Sequence, residues 1–148
     1  LVLNIGDSVP KIIDLNKEYN LSLKKSGFLI EPIYFDFKSH KITKESKLEL
    51  DKLASFLKNN RDESITIFGY TDCQGTKEYL SKNYNKILGK NRGISVRRYL
   101  HAKGIPNSRV DVIGRGSVNF LNSCFTAESC TDQEHRENRR CEFQLNDQ

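Results

Sequence analysis

Apolar and polar residues alternate through Ile33-Tyr-Phe-Asp-Phe37, with Ile33, Phe35 and Phe37 on one side and Tyr34 and Asp36 on the other. That period of two predicts a half-buried strand. The period then lengthens: Leu50, Leu53, Ala54 and Leu57 recur at helical spacing, flanked by Leu48 and Phe56. Thr43 is the expected N-cap of this helix and Glu45 its first-turn acid, and Asn59-Asn-Arg-Asp62 ends it. Ile65-Thr-Ile-Phe68 is β-branched and aromatic, as a buried strand requires. A long polar connection, Gln74 to Asn85, leads to a second helix predicted over about 83–103, stopped by Gly104 ahead of Ile105-Pro106. Arg109 to Ile113 reads as a third strand broken by Gly114-Arg-Gly116, and 131–137 as a short helix. Arg140-Cys-Glu-Phe-Gln-Leu145 reads as a last strand with Cys141, Phe143 and Leu145 on one side. Ahead of all these, Val9 to Leu15 is an expected strand and Asn20 to Ile30 a polar hairpin or turn. The order β-α-β-α-β-(α)-β implies an α/β chain of the α+β sandwich kind, one sheet covered by helices.

The chain has 148 residues, a natural single-domain length, and 29% of them are charged. Mean hydropathy is −0.62, and no run approaches the roughly 18–20 apolar residues of a membrane span. The sequence starts Leu-Val-Leu-Asn and contains no Met, so it reads as a fragment of a longer product whose targeting information lies elsewhere. Residues 1–30 are expected to be an N-terminal extension or linker and 31–148 the folded domain. The net charge of +5 invites a nucleic-acid reading. Against it, acids are interleaved with the lysines from Lys41 to Lys58, and the densest cluster, Arg136 to Arg140, contains Glu137 and Asn138. A mildly basic surface equally suits an anionic polymer.

Two charges change the picture more than composition does. Asp72 follows the Ile65 strand in Gly69-Tyr-Thr-Asp72, and Arg92 falls on the row of Leu88, Val96 and Leu100, the buried face of the second helix. A charge facing a core is costly unless it is paired, so Arg92 calls for an anion. An Asp and an Arg held close without collapsing onto each other can take a zwitterion, its ammonium on the Asp and its carboxylate in the fork of the Arg.

Of four cysteines, Cys124 and Cys130 bracket Phe-Thr-Ala-Glu-Ser and are expected to close a small disulfide loop in an oxidising compartment. Cys73 follows Asp72 and Cys141 lies two residues after Arg139, which leaves a second bridge between them open. Cys124, Cys130, His135 and Cys141 lack the tight Cys-x2–4-Cys knuckle of zinc motifs, so no metal is assigned. His40, His101 and His135 read as surface or capping residues, and Phe35, Phe37, Phe68, Tyr99 and Phe143 as core.

Tyr34-Phe-Asp-Phe37, Gly69-Tyr-Thr-Asp-Cys-Gln-Gly75, Tyr84-Asn85 with Leu88 and Arg92, Gly114-Arg-Gly116 and Arg136-Glu-Asn-Arg-Arg-Cys-Glu-Phe143 together resemble the OmpA-like C-terminal domain, over about residues 31–146. The segment Asn122 to Phe143 is most similar to versions in Bacteroidetes envelope proteins. The resemblance implies a mixed four-stranded sheet and non-covalent binding of peptidoglycan through the diaminopimelate of its stem peptide, in the periplasm and in association with the outer membrane. It implies that Asp72 pairs with the diaminopimelate ammonium and Arg92 with the adjacent carboxylate. Asn85 is implied to hydrogen-bond the peptide, Arg139 to line the same pocket, and backbone groups at Asp36, Phe37 and Lys38 to reach ligand carboxylates. Arg139 and Arg140 point to opposite faces of a strand, so only one of them is expected at the pocket. The chain departs from the family in placing Tyr70 where a His is usual, in carrying Gly89 and Gly93 within the helix, and in a Gly75–Asn85 connection about five residues longer.

The leading reading is therefore a binding module that anchors an outer-membrane-associated protein to the wall, with no cofactor. An enzyme acting on the wall would need a metal triad or a Cys-His pair; Cys73 is the one tempting nucleophile, and no histidine has a claim to activate it. The alternative is a basic interaction domain for another protein.

Overall fold

The structure, a computed structural model, describes residues 30–73, 82–118, 122 and 130–147. The strand expected at Val9 to Leu15 and nearly all of the turn at Asn20 to Ile30 lie outside the described residues. The elements run β1 (Ile33–Tyr34), α1 (Lys44–Asn59), β2 (Ile65–Tyr70), α2 (Lys82–Ala102), a 3-10 turn (Asn107–Arg109), β3 (Val110–Gly116), α3 (Asp132–Asn138) and β4 (Arg140–Leu145). This is the expected order.

The four strands form one mixed sheet in the order β1-β4-β2-β3. β2 and β3 are parallel, joined through α2, and β4 runs antiparallel to both of its neighbours. Ile67 stands opposite Val112 on one side and Phe143 on the other, and Ile33 stands opposite Cys141. These residues form the face that α1 and α2 cover. Leu50, Leu53, Ala54 and Leu57 of α1 and Val96 and Leu100 of α2 complete the core, most of them fully buried. Each such Leu or Val side chain contributes about 1.5–3 kcal/mol relative to exposure.

The helix signals act as expected. The Thr43 hydroxyl accepts from Ser46 N at 3.2 Å, Gly104 ends α2 with φ +101°, and Thr131 with Glu134 makes a capping box on α3. Gly114 and Gly116 do not break β3; they lie inside it. A Cβ on Gly114 would come within 2.5 Å of the Lys86 carbonyl oxygen, so the glycine lets α2 lie on the strand. The same holds between Gly69 and Gly89, where a Cβ on either residue would overlap the other's carbonyl, at 1.8 Å and 2.4 Å. Two mid-helix glycines cost about 1 kcal/mol each in propensity; Gly89 allows backbone-to-backbone packing of α2 on the sheet, and Gly93 makes room for the Val112 side chain of β3.

Two side-chain expectations change. Phe37 is 46% exposed instead of in the core, because β1 stops at Tyr34 and the chain turns at Asp36–Ser39. Leu48 is also exposed. His135, expected at the surface, is buried on α3. The far face of the sheet holds a second buried ion pair that the strand alternation did not announce as such: Arg140 Nε donates to Glu142 Oε2 at 2.6 Å, and its guanidinium lies 4.0 Å from the Tyr70 ring centroid.

Candidate binding site

The topology brings four chain segments to one end of the sheet. β1 exits there into Phe35–Ser39, β2 into Thr71–Asp72 and β3 into Gly116–Ser117, while Arg139 enters β4 from the same end. Backbone bonds tie these exits together: Phe35 N donates to Arg139 O at 2.8 Å, and Thr71 N donates to Gly116 O at 2.9 Å.

Asp72 and Arg139, both nearly sealed from solvent, form an ion pair with Arg139 Nη1 at 3.0 Å from Asp72 Oδ2. Arg139 is fixed from its other side by donating Nε–H to Phe35 O at 2.8 Å. Arg139 and Arg140 point to opposite faces, as strand alternation requires, and Arg140 turns to Glu142 and Tyr70 on the far face.

Arg92 is fully buried, and the anion on it is not a carboxylate in direct contact. It donates to three backbone carbonyls: Nε to Ser39 at 2.8 Å, Nη1 to Tyr70 at 2.9 Å and Nη2 to Asp36 at 3.1 Å. Its guanidinium also stands 5.2 Å from the Phe35 ring centroid. Burial pulls its pKa down to about 10; the Cys141 thiol and the Asp72 carboxylate oppose that shift, and Arg139 adds to it. Carbonyl oxygens carry partial negative charge, so three of them solvate the guanidinium while leaving it a net cation. Three of the roughly five N–H groups of an arginine are engaged in this way. Arg92 thus staples the β1 exit to the end of β2, and it places a positive charge beneath the Asp36–Ser39 turn.

That turn is held by Ser39 N donating to Asp36 O at 3.1 Å, and Lys38 sits in the left-handed region with φ +57°. A non-glycine residue there is uncommon and costs of order 1 kcal/mol or more, which marks the turn as a held conformation. The Lys38 ammonium lies 5.4 Å from the Phe37 ring centroid, and the hydrogen bonds made among the described residues leave the Phe37 and Lys38 amides unused.

Asn85 lies in the first turn of α2, buried, with Nδ2 3.4 Å from Ser117 Oγ. It stands on the β3 side of Asp72, whereas Arg139 stands on the β4 side. The Thr71 hydroxyl beside Asp72 is buried with no hydrogen-bond partner among the described residues.

Cys73 and Cys141 are separate buried thiols, so the second bridge is not formed. Cys141 faces the helices within the core, and burial pushes its thiol up to about 12 against the lowering influence of Arg92 and Arg140. Cys124 lies outside the described residues, and with it the geometry of the expected Cys124–Cys130 loop. Among the described residues no group of three or more His, Cys, Asp or Glu side chains could hold a metal ion, and no helix is long and apolar enough to cross a membrane.

Sequence reasoning missed the carbonyls of Asp36, Ser39 and Tyr70 as the partners of Arg92. Backbone acceptors carry no residue-type signal, and only the requirement that a buried cation be satisfied pointed to them.

A family model described as the OmpA family matches residues 34–136. A peptidoglycan-associated lipoprotein of Buchnera aphidicola is 36% identical over 85 residues, 57% of this chain and 46% of that protein. The protein of the same name from Brucella melitensis is 34% identical over 104 residues, 70% of this chain and 58% of that one. The chain thus spans about half the length of these relatives. The crystal structure of the peptidoglycan-associated lipoprotein from Burkholderia pseudomallei superposes with a TM-score of 0.65 at 25% identity, covering 78% of this chain and 89% of that one.

Proposed function

This chain belongs to the OmpA family, and we propose that it binds peptidoglycan non-covalently through the diaminopimelate of the stem peptide. Relatives named for their association with peptidoglycan support the polymer. The observation that carries the finer reading is the buried Asp72–Arg139 pair set beside the buried Arg92 cation. A carboxylate with guanidinium groups close by is a binding site for a group that is itself both cation and anion.

In this reading the ligand ammonium approaches the Asp72 carboxylate beside Arg139. The neighbouring ligand carboxylate meets the amides of Phe37 and Lys38, with the Arg92 charge beneath them. Asp36 contributes its carbonyl to the framework and Asn85 reaches the peptide from the β3 side. Residues 31–148 form the binding domain, and residues 1–30 are its extension or linker. The OmpA-like domain is a structural anchor and not an enzyme. The location that follows from this reading is the periplasm, in association with the outer membrane or an envelope complex. A disulfide between Cys124 and Cys130 belongs to the same reading, and the disulfide-bonded state of Cys130 supports it.

Calorimetry with two stem peptides tests the chemistry. One carries diaminopimelate and the other lysine, which keeps the ammonium and lacks the adjacent carboxylate. Binding is expected to weaken at least tenfold with lysine, about 1.4 kcal/mol. Equal affinities would remove the zwitterion mechanism. A pull-down with isolated sacculi separates this reading from a basic interaction domain, which would leave sacculi in the supernatant.

A further inference from the structure

β3 is the edge of the sheet on the side away from β1, and among the described residues it pairs with β2 alone. An edge strand turns a row of N–H and C=O groups outward, so β3 has the backbone chemistry to take a further strand. The register shift at Gly69–Tyr70 leaves Arg115 as an extra residue between Gly114 and Gly116. The regular part of the open edge is therefore Val110–Gly114.

α2 runs along this edge turn by turn. A Cβ on Gly116 would meet the Asn85 backbone, one on Gly114 the backbones of Lys86 and Lys90, and one on Gly93 the Val112 side chain. Lys86, Lys90 and Arg97, at steps of four and seven residues, thus share the flank of α2 that lies over β3. Lys86 and Lys90 are exposed and Arg97 is half-buried. None of the three makes an ion pair among the described residues, and α2 contains no Asp or Glu from Lys82 to Ala102. A positive stripe without a counter-charge of its own runs beside an open strand edge.

The other face of β3 is different. Ile113 is 43% exposed there, Asp111 Oδ2 accepts from Asn146 Nδ2 at 3.5 Å, and the Arg115 guanidinium lies 4.6 Å from the Phe68 ring centroid. A strand added to β3 would send alternate side chains to these two faces. On the α2 side they meet Lys86 and Lys90, whose four-residue step rises about 6 Å, close to the roughly 6.6 Å between alternate residues of a strand. On the other side they meet Ile113. The occupant that fits alternates acidic with apolar residues. A second copy of this chain fits less well, because its own α2 would set Lys90 and Arg97 against the same positive stripe.

We propose that the β3 edge and the flank of α2 above it dock an extended acidic segment of another protein, added as a strand with its carboxylates on the Lys86, Lys90 and Arg97 side. Main-chain hydrogen bonds to β3 supply the attachment and the stripe selects the charge. The surface is separate from the Asp72 site, and the proposal does not depend on what that site binds.

The test uses the whole chain and two end-capped octapeptides, one alternating glutamate with valine and one alternating lysine with valine. Calorimetry at low salt is expected to show the glutamate peptide binding at least about tenfold more tightly. Lys90→Glu and Arg97→Glu are each expected to weaken that binding about fivefold, with thermal melts establishing that both variants are folded. Amide exchange followed by NMR supplies a readout that charge attraction alone would not move: alternate amides within Val110–Gly114 are expected to become protected in the complex. Equal affinities for the two peptides, or no binding of either, would overturn the proposal. So would binding of the glutamate peptide that leaves the β3 amides unprotected. Binding to phosphatidylglycerol vesicles in place of the peptide would reassign the stripe to a lipid surface, and a dimer in sedimentation that protects the same amides would reassign the edge to a second copy; either overturns the proposal.

Discussion

Arg139 Nη1 sits 3.0 Å from Asp72 Oδ2, so the acid meant for a ligand ammonium already holds a guanidinium of its own chain. Arg139 cannot swing away freely, because its Nε–H is bonded to Phe35 O. The pair therefore acts as a fixed dipole at the end of the sheet. A ligand ammonium has to share the Asp72 carboxylate with Arg139, and the ligand carboxylate gains from the guanidinium remaining there.

This arrangement separates two substitutions at one position. Asp72→Asn keeps an oxygen that can accept from Arg139 but removes the charge. Sacculus binding is expected to fall at least tenfold, about 1.4 kcal/mol, and stability is expected to fall as well, by less than in Asp72→Ala because the hydrogen bond to Arg139 is kept. Asp72→Ala leaves Arg139 buried without its counter-charge and is expected to lose about 3 kcal/mol of stability as well. Co-sedimentation with sacculi and a denaturant melt read both quantities. Parent-like retention of Asp72→Asn would show that the carboxylate charge is not what the ligand meets.

Helix propensity alone says that Gly89→Ala should stabilise α2 by about 1 kcal/mol. The fold says the opposite, since the new Cβ would stand 2.4 Å from the Gly69 carbonyl oxygen, a backbone atom that cannot move aside. A net loss of about 1–3 kcal/mol is expected. At Gly93 the new methyl would meet the Val112 side chain at 2.5 Å, so Val112→Ala is expected to restore part of the loss in Gly93→Ala and none of it in Gly89→Ala. Urea unfolding midpoints decide the sign.

The Cys141 thiol predicts a pH dependence. Its folded pKa is raised from 9.0 to about 12 by burial, so the folded state keeps a proton that the unfolded chain releases. The contribution is complete below pH 9 and is lost as pH climbs toward about 12. Arg92, lowered to about 10, works in the opposite sense above that pH, which makes pH 9–10 the clean window. Over that unit the parent is expected to lose about 1 kcal/mol more stability than Cys141→Ala. Parallel slopes for the two proteins in denaturant melts would discard the assignment.

Oxidised protein digested without reduction is expected to yield Cys124 and Cys130 in one linked peptide, with Cys73 and Cys141 recovered as alkylated thiols after unfolding. The short loop predicts about 2–2.5 kcal/mol of stabilisation from that bridge. Recovery of Cys124 and Cys130 as alkylated thiols would remove the bridge and weaken the case for a periplasmic address.

The order of elements, the caps and most of the core were legible along the chain because each has a local cause. Alternation at Cys141, Phe143 and Leu145 set the inner face of β4, the Leu50–Leu57 row set that of α1, and Thr43, Gly104 and Thr131 marked ends through bonds within a few residues. Asp72 and Arg92 could also be picked out, since a charge on an apolar row or at a strand end is conspicuous, whereas Arg139 was marked only by the family motif. Which of them pair was decided only in three dimensions. Arg139 is 67 residues from Asp72, and β4 brings it there by inserting between β1 and β2, which no local pattern announces. Arg92 found its partners among carbonyls, which every residue possesses and which therefore leave no trace in the sequence. Gly89 and Gly114 likewise look like a weak helix and a broken strand until the two backbones are seen in contact. Periodicity and capping act over three or four residues and can be read from the chain; pairing across the sheet depends on where strand order places each end, and that is settled by packing.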